Sequence, residues 1–518
     1  MQPLLFVLLS LSFLYDAVDN ANILGIIPSP FYSHQATFRP LWKELARKGH
    51  NLTIVTTDLM EPNENISQID LSGTYDVIKN HRNGSYSILK ETNLIKKLDV
   101  FRDLANEIIV YQLTHPDLEP LKDPTKYHCD LIIVEAVHPW FFALGVKLGC
   151  PVIGVSSMDA FPWVHNFVGN AIHPSMYYQV DLMYNNPLSF LERLKNTAWT
   201  VMYKLLSLKV FPVFDWYVEE YIGKDLPKMT ELHKSLSLLI VNANPAFYPI
   251  RPSTPVTVNI GGGAHLVKPK PLPKDLQDYL DQSKDGCIYF SLGSTINSNY
   301  LSRETIEIFR QTFEELAPMR VLWKYENETL ENKPHNLEIR KWLPQHDVLR
   351  HPNVKVFITQ GGLQSMEEAI DSAVPMLGMP FYGDQKNNVK KMSIKKFGIA
   401  LDVATIDKKS LKDAILELVD NPLYKKNIEK LSAISKDQPM TGIEKAVWWT
   451  EYVLRHGGTE HLRSPSADIP LYQYFFLDII AFVILVFIVL ILLVYYLIKL
   501  IRTIFRLVFS KRNKVKTN

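Results

Sequence analysis

The sequence predicts an α/β protein of two halves, each built around a parallel sheet, followed by one membrane-spanning helix at the C-terminus. Three observations predict it. Strand–helix–strand runs recur on both sides of a Pro/Gly-rich stretch at 245–273. The chain has 518 residues, more than one hydrophobic core usually serves and enough for two. Residues 479–498 contain no charge, Pro or Gly, a run long enough to cross the ~30 Å hydrocarbon layer.

Composition narrows the class. Hydrophobic residues at 47% against 21% charged residues describe a chain that folds. Lys+Arg 56 against Asp+Glu 54 leaves no basic field to hold nucleic acid and no acidic tail. The three cysteines, Cys129, Cys150 and Cys287, are far apart, odd in number and without metal-ligand spacing. They read as buried thiols, not as a disulfide framework. No His/Asp/Glu cluster has metal spacing, so no metal is expected.

Taken in order, residues 4–14 form an apolar run too short to span a bilayer and followed by Asp16 and Asp19, which reads as a signal-peptide core. The first half begins with an apolar strand at 21–28. A helix at 35–48 follows, marked by Phe38, Leu41, Trp42 and Leu45, and Gly49 ends it before a strand at 51–57. That is a βαβ unit, the building block of parallel sheets. Residues 130–136 and 151–156 read as later strands of the same sheet. The stretch 161–228 is aromatic-rich and irregular with helical patches, suited to covering a hydrophobic pocket or to plain packing. After the linker, strand-like runs recur at 287–294, 321–325, 337–343, 354–359 and 375–379.

The C-terminal end fixes a topology. Tyr472, Tyr474, Tyr495 and Tyr496 flank the apolar run as an aromatic belt would. Lys499, Arg502, Arg506, Lys511, Arg512, Lys514 and Lys516 follow without an acid. The positive-inside rule places that tail in the cytosol and the body in the lumen of the secretory pathway. Sequons at Asn51, Asn65, Asn83 and Asn327 agree with that side. Lys514 and Lys516, near the C-terminus, resemble the dilysine signal that retains type I proteins in the endoplasmic reticulum.

The chemistry is concentrated between Trp342 and Gln385. There a strand, VKVFIT, runs into Gly361-Gly362 and a helix opening. Such a turn lets a phosphate approach the backbone, and a helix N-terminus offers unpaired N–H groups and a favourable dipole. Gln364, Ser365 and Glu368 share one face of that helix. The first two can donate to an anion, and Glu368 suits a diol such as ribose. His34 lies in the loop after the first strand, at the sheet's carboxyl edge, where open α/β sheets place their ligands.

The stretch WLPQHDVLRHPNVKVFITQGGLQSMEEAIDSAVPMLGMPFYGDQ resembles the signature of the UDP-glycosyltransferases: WxPQ, HP, F[IV]T[HQ]xG, SxxE, GxP and DQ, in that order and with similar spacing. The resemblance extends from the signal run to the basic tail. It implies two Rossmann-like domains facing across a cleft, the GT-B fold. The implied division is a signal peptide at 1–21, an acceptor-binding half at 22–244, a linker at 245–284, a UDP-sugar-binding half at 285–465, a span at 475–498 and a cytoplasmic tail at 499–518. Trp342 would stack on the uracil and Gln345 bind its edge. Ser365 and Ser294 would hold the diphosphate, with Gly362 and Gln364 at the same turn. Glu368 would take the ribose hydroxyls, and Asp384 and Gln385 those of the sugar. Gln360 stands where many members have histidine, so its contribution to the leaving group is an amide without charge.

The family's general base falls on His34 and its acidic partner on Glu135, a position usually held by Asp. The expected reaction moves a hexose, with inversion, from a UDP-sugar to a small lipophilic phenol or alcohol, with no cofactor beyond that co-substrate. TQGGLQS resembles the insect branch, which points to UDP-glucose. Transfer of glucuronate, and a non-catalytic lumenal relative that binds lipophilic ligands, are the alternatives. A homo-oligomer is among the assemblies the sequence allows.

Overall fold

The computed structural model describes residues 20–81, 94–171, 173–175, 187–248, 250–294, 296, 298 and 301–515. The expected signal peptide, up to residue 19, and the Asn83 sequon lie outside them, as do the last three residues. Two compact units result, 1–463 and 464–518.

The first unit holds two sheets in which every paired strand is parallel. One contains β1 (Asn22–Ile27), β2 (Asn51–Thr56), β3 (Ile66–Asp70), β4 (Leu131–Glu135), β5 (Val152–Ser156), β6 (Leu236–Val241) and β7 (Thr257–Asn259), in the order β3-β2-β1-β4-β5-β6-β7. The other contains β8 (Cys287–Ser291), β9 (Arg320–Lys324), β10 (Leu337–Arg340), β11 (Val354–Thr359), β12 (Met376–Gly378) and β13 (Gly398–Ala400), in the order β10-β9-β8-β11-β12-β13. Each order runs one way, then reverses: at β1/β4 in the first sheet and at β8/β11 in the second. Such switch points leave a crevice at the carboxyl ends of the strands. The central strands are apolar along their length because helices cover both faces, and all five residues of β4, β5 and β8 are buried.

Helix α1 (Tyr32–Arg47) buries Phe38, Leu41, Trp42 and Leu45 on the first sheet. The aromatic stretch expected to be irregular contains α2 (Phe190–Tyr221), a single helix of 32 residues. In the second half, α3 (Leu363–Asp371) and α4 (Gln385–Ile394) open at the carboxyl edge of their sheet. Helix α5 (Gly442–His456) follows the second sheet in the chain, yet its Ala446, Val447 and Val453 join the core of the first. Its entry runs so close to the first sheet that a Cβ on Gly442 would lie 2.1 Å from the Ile260 carbonyl oxygen.

Cys129 and Cys150 are joined by a disulfide, and only Cys287 is a free, buried thiol. This corrects the expectation of three thiols. The two cysteines precede β4 and β5, which are hydrogen-bonded neighbours, so the fold brings together side chains separated by 21 residues in sequence.

In the second unit, α6 (Leu477–Val515) contains the stretch Leu477–Leu507, 31 residues long and apolar enough to cross a membrane. The helix continues past the expected end at 498 through Lys499, Arg502 and Arg506.

Candidate active site

Four residues, from Pro28 to Phe31, connect β1 to α1. The turn is tighter than the sequence suggested, and His34 stands in the first turn of α1, not in a loop; its N–H donates to the Phe31 carbonyl at 3.0 Å. The first core residues of α1 come after it, so the apolar periodicity shows the helix only from about residue 35. Glu135 is the last residue of β4, the strand across the switch point from β1. His34 Nδ1 and Glu135 Oε1 are hydrogen-bonded. The Glu135 side chain is 2% exposed and that of His34 20%. His138 faces the second carboxylate oxygen at 3.5 Å, and Ser29 Oγ holds His138 Nε2 at 2.9 Å.

Burial opposes charge on both members of this pair. For Glu135 that penalty is outweighed by His34 and His138, which hold the carboxyl far below its usual range. For His34 it is outweighed by Glu135, with a further contribution from Asp384 in the other half, and its pKa is raised. A carboxylate on Nδ1 keeps the proton there and leaves the lone pair on Nε2.

The second switch point carries the other cluster. Gly361, at φ +85°, turns the chain after β11, where a Cβ would lie 2.4 Å from Val389. Gly362 caps α3. Gly293, at φ +76°, turns the chain after β8, and a Cβ there would lie 2.2 Å from Gln360 Nε2. The two turns are therefore packed against each other through the buried Gln360, whose Oε1 accepts from Thr359 at 3.0 Å. Exposed Ser294 follows Gly293.

Gln345 ties the face of α3 together. Its Nε2 donates to Ser365 Oγ at 2.9 Å and to Glu368 Oε2 at 2.6 Å, and its Oε1 accepts from Tyr289 at 3.2 Å. Trp342 is 64% exposed, its ring edge-on to Tyr32 of α1 at 6.4 Å. Asp384 Oδ2 accepts from Asn388 at 2.7 Å, and the same amide donates to the Gly361 carbonyl at 3.1 Å. Burial pushes the Asp384 carboxyl up. Gln385 braces the preceding turn by accepting from the Phe381 and Tyr382 N–H groups at 2.8 and 3.1 Å. Gln364 directs its amide across to the first half, 3.2 Å from Thr37 Oγ1 and 3.4 Å from the Ser33 carbonyl.

His34 and Glu135 thus stand at the first switch point and Ser294, Gln360, Gly362, Gln364, Ser365 and Glu368 at the second, while Asp384 and Gln385 open α4 after β12 and Trp342 and Gln345 follow the edge strand β10. Gln345, Ser365 and Glu368 are in direct contact, as are His34 and Glu135.

Sequence reasoning missed three neighbours. His265, which follows β7, has its side chain 6% exposed and lies between Glu367 at 3.4 Å and Glu368 at 3.7 Å. Burial lowers its pKa, the two carboxylates outweigh burial, and the net shift is upward. Glu367 also accepts from Asn242 of β6's end and from the Gly262 N–H, both at 3.2 Å. Lys391 of α4 lies over the Tyr248 ring at 4.1 Å, and burial, opposed by Asp159 and Asp384, brings its pKa down to about 8. Nothing in their local sequence marks these residues, because each contact joins distant segments. Among the described residues there is no group of three or more His, Cys, Asp or Glu arranged to hold a metal ion.

The family model described as "UDP-glucoronosyl and UDP-glucosyl transferase" matches residues 24–515. "UDP-glycosyltransferase UGT5" of Dactylopius coccus is 32% identical, over 99% of this chain and 98% of its own. "UDP-glucosyltransferase 2" of the same insect is also 32% identical, over 93% of each chain. "UDP-glucuronosyltransferase 2B17" of Rattus norvegicus is 29% identical over 94% of each. Among solved structures, that titled "UDP-glucose: anthocyanidin 3-O-glucosyltransferase in complex with UDP" superposes with a TM-score of 0.54 at 18% identity, covering 85% of this chain and all of that one. The shared architecture is GT-B.

Proposed function

The chain belongs to this family of UDP-glycosyltransferases, and within it we propose a glucosyltransferase that uses His34 as general base on a small lipophilic phenol or alcohol. The carrying observation is the His34–Glu135 pair, built from the first turn of α1 and the end of β4 at a switch point, with the carboxylate on Nδ1 favouring the tautomer that leaves Nε2 basic. Nε2 takes the hydroxyl proton as the acceptor oxygen bonds to the anomeric carbon. The bond from that carbon to the diphosphate breaks in the same displacement, which inverts the centre and releases UDP. Glu135 stabilises the imidazolium, as the third member of a triad does.

On the donor side, the turns at Gly293-Ser294 and Gln360–Gly362 and the start of α3 receive the diphosphate, with Ser365 donating to it. Trp342 stacks on the uracil and Gln345 binds its edge. Glu368 takes the ribose hydroxyls, with the His265 ring, whose pKa Glu367 and Glu368 raise, behind it. Asp384 and Gln385 take the sugar hydroxyls, and Gln364 ties the two halves together. The TQGGLQS motif and the name of the insect glucosyltransferase relative favour glucose. The intact base pair favours an enzyme over a non-catalytic carrier.

The body is placed in the lumen of the endoplasmic reticulum, held by a type I anchor. The apolar stretch Leu477–Leu507, the basic residues after it and a disulfide suited to an oxidising compartment support that reading. Membranes bearing the chain, assayed with UDP-glucose, UDP-glucuronate and UDP-galactose against phenols, alcohols and thiols, test the whole. UDP-glucose should give the largest turnover, and a preference for UDP-glucuronate refutes the donor assignment.

A further inference from the structure

Lys391 is a cation in the crevice between the halves to which the reaction above gives no task. It stands two turns after Asp384, the residue that caps α4. At about 100° per residue the two side chains share a face, about 10 Å apart along the axis. Long helical side chains lean toward the N-terminus, which carries the Lys391 ammonium back toward Asp384 and the carboxyl edge of the second sheet. The first half meets it there through the segment between β6 and β7. Lys391 Nζ lies 5.0 Å from the centre of the Phe247 ring and 4.1 Å from that of Tyr248.

The acids whose charges act on Lys391 are Asp159, which follows β5, and Asp384, one from each half. Asp159 already has partners, His165 at 2.9 Å and Arg251 at 3.2 Å. Asp384 accepts from Asn388 and also lies in the field of His34. His34, Asp384 and Lys391 thus border one stretch of the crevice. Among the described residues Lys391 Nζ has no hydrogen bond and no ion pair. The two rings hold the ammonium by its charge, and its three N–H groups keep their capacity to donate.

The surrounding charges define what it can take. With an acid from each half in its field, Lys391 makes no isolated positive site, and a further carboxylate would meet repulsion from Asp159 and Asp384. A neutral hydroxyl fits better, because it accepts from an ammonium and donates to an aspartate. We propose that Lys391 is a further sugar-binding residue, whose ammonium donates to a hydroxyl of the transferred hexose beside the one that Asp384 takes. The proposal rests on the assignment of Asp384 to the sugar made above. It gives α4 two groups that together read an uncharged hexose, an acceptor at its start and a donor two turns on.

The test is calorimetry on the full chain in detergent, with UDP and UDP-glucose titrated separately. Lys391→Met keeps most of the stem and removes the ammonium. It should weaken UDP-glucose about ten-fold and leave UDP, which has no hexose, bound nearly as in the parent. UDP-glucose analogues that each lack one hydroxyl locate the contact: for one of them the parent's advantage over Lys391→Met should vanish. An equal loss for UDP and UDP-glucose reduces Lys391 to packing against Tyr248 and overturns the proposal. An unchanged affinity for UDP-glucose overturns it as well, and so does the same loss with every analogue. A raised acceptor KM beside intact UDP-glucose affinity overturns it by moving Lys391 to the acceptor. Asp384→Asn, measured alongside, separates the two claims, because unchanged UDP-glucose affinity there removes Asp384 from the sugar while the Lys391 result stands by itself. If Lys391→Met does not fold, Lys391→Ala takes its place in the same comparisons.

Discussion

His34 Nδ1 is hydrogen-bonded to Glu135 Oε1 across the switch point of the first sheet, between residues 101 positions apart. The extra methylene of Glu, where the family's pattern usually has Asp, therefore does not prevent the contact. His34→Ala should cut kcat on an aliphatic alcohol by about 10²–10⁴, with UDP affinity nearly unchanged because the residues proposed to bind UDP stand in the other half. Glu135→Ala should cost less alone and little more on the His34→Ala background, since the two act as a unit. An acidic phenol, already ionised at neutral pH, should lose less than the alcohol. Equal losses on both acceptors would show that His34 positions the acceptor without taking its proton.

The same pair sets a pH dependence. Glu135 holds the His34 pKa above its usual 6.5, so the neutral, basic ring gains population only as pH rises through that higher value. The kcat/KM for an alcohol should therefore rise with pH, with an apparent pKa above 6.5. Glu135→Gln removes the charge and should move the limb to lower pH. Stability has the opposite sense for His34. Its contribution is full below pH 6.5 and is lost as pH rises through the raised value. A pH–rate limb unmoved in Glu135→Gln would detach the limb from this pair.

Donor affinity should depend on the Gln345–Glu368 contact. Glu368→Ala is expected to weaken UDP binding by roughly 1–3 kcal/mol. Gln345→Ala should weaken it as well, and the double variant should fall short of the sum, because one hydrogen bond at 2.6 Å joins the two. His265→Gln replaces the titratable ring facing Glu368 with a neutral amide and should alter how UDP affinity varies with pH, which a purely steric role would not do. Calorimetry on folded variants decides, and unchanged affinity in Glu368→Ala removes that residue from the site.

How much of this was legible in the sequence depended on whether the signal was local. Strands such as β4 and β11 lie inside a covered sheet and read as apolar runs, β4 up to its terminal Glu135 and β11 broken only at the exposed Lys355 before its terminal Thr359. The Gly361-Gly362 turn and the α3 face are contiguous, so the residues proposed there for the donor could be grouped from the sequence. His265 could not, because its partners come from across the linker, and Lys391 meets Tyr248 and Asp159 only in the fold. The Cys129–Cys150 link needs the knowledge that β4 and β5 are neighbours. Helix α2 was hidden for a different reason: its apolar residues lie on both its docked and its outward sides, so no single polar face marked the helical period. The return of α5 to the first core is likewise a matter of packing, since its amphipathic pattern fits either half.

The disulfide yields the last prediction. Cys129 and Cys150 close a loop at the amino ends of β4 and β5, away from the carboxyl edge that carries His34 and Glu135. Chain-entropy arguments give such a link about 2–4 kcal/mol of stability, so Cys129→Ser should unfold at lower denaturant while the folded variant keeps its UDP affinity. Reductant should lower the parent's midpoint and leave the variant's where it is. A thiol count gives an independent check. Burial pushes the Cys287 thiol up to about 12, so the native chain should expose no reactive thiol. The denatured, unreduced chain should expose one and the reduced chain all three of its cysteines. Three reactive thiols before reduction, in chain taken directly from the secretory pathway, would show that the link does not form there and would remove one support for a lumenal body.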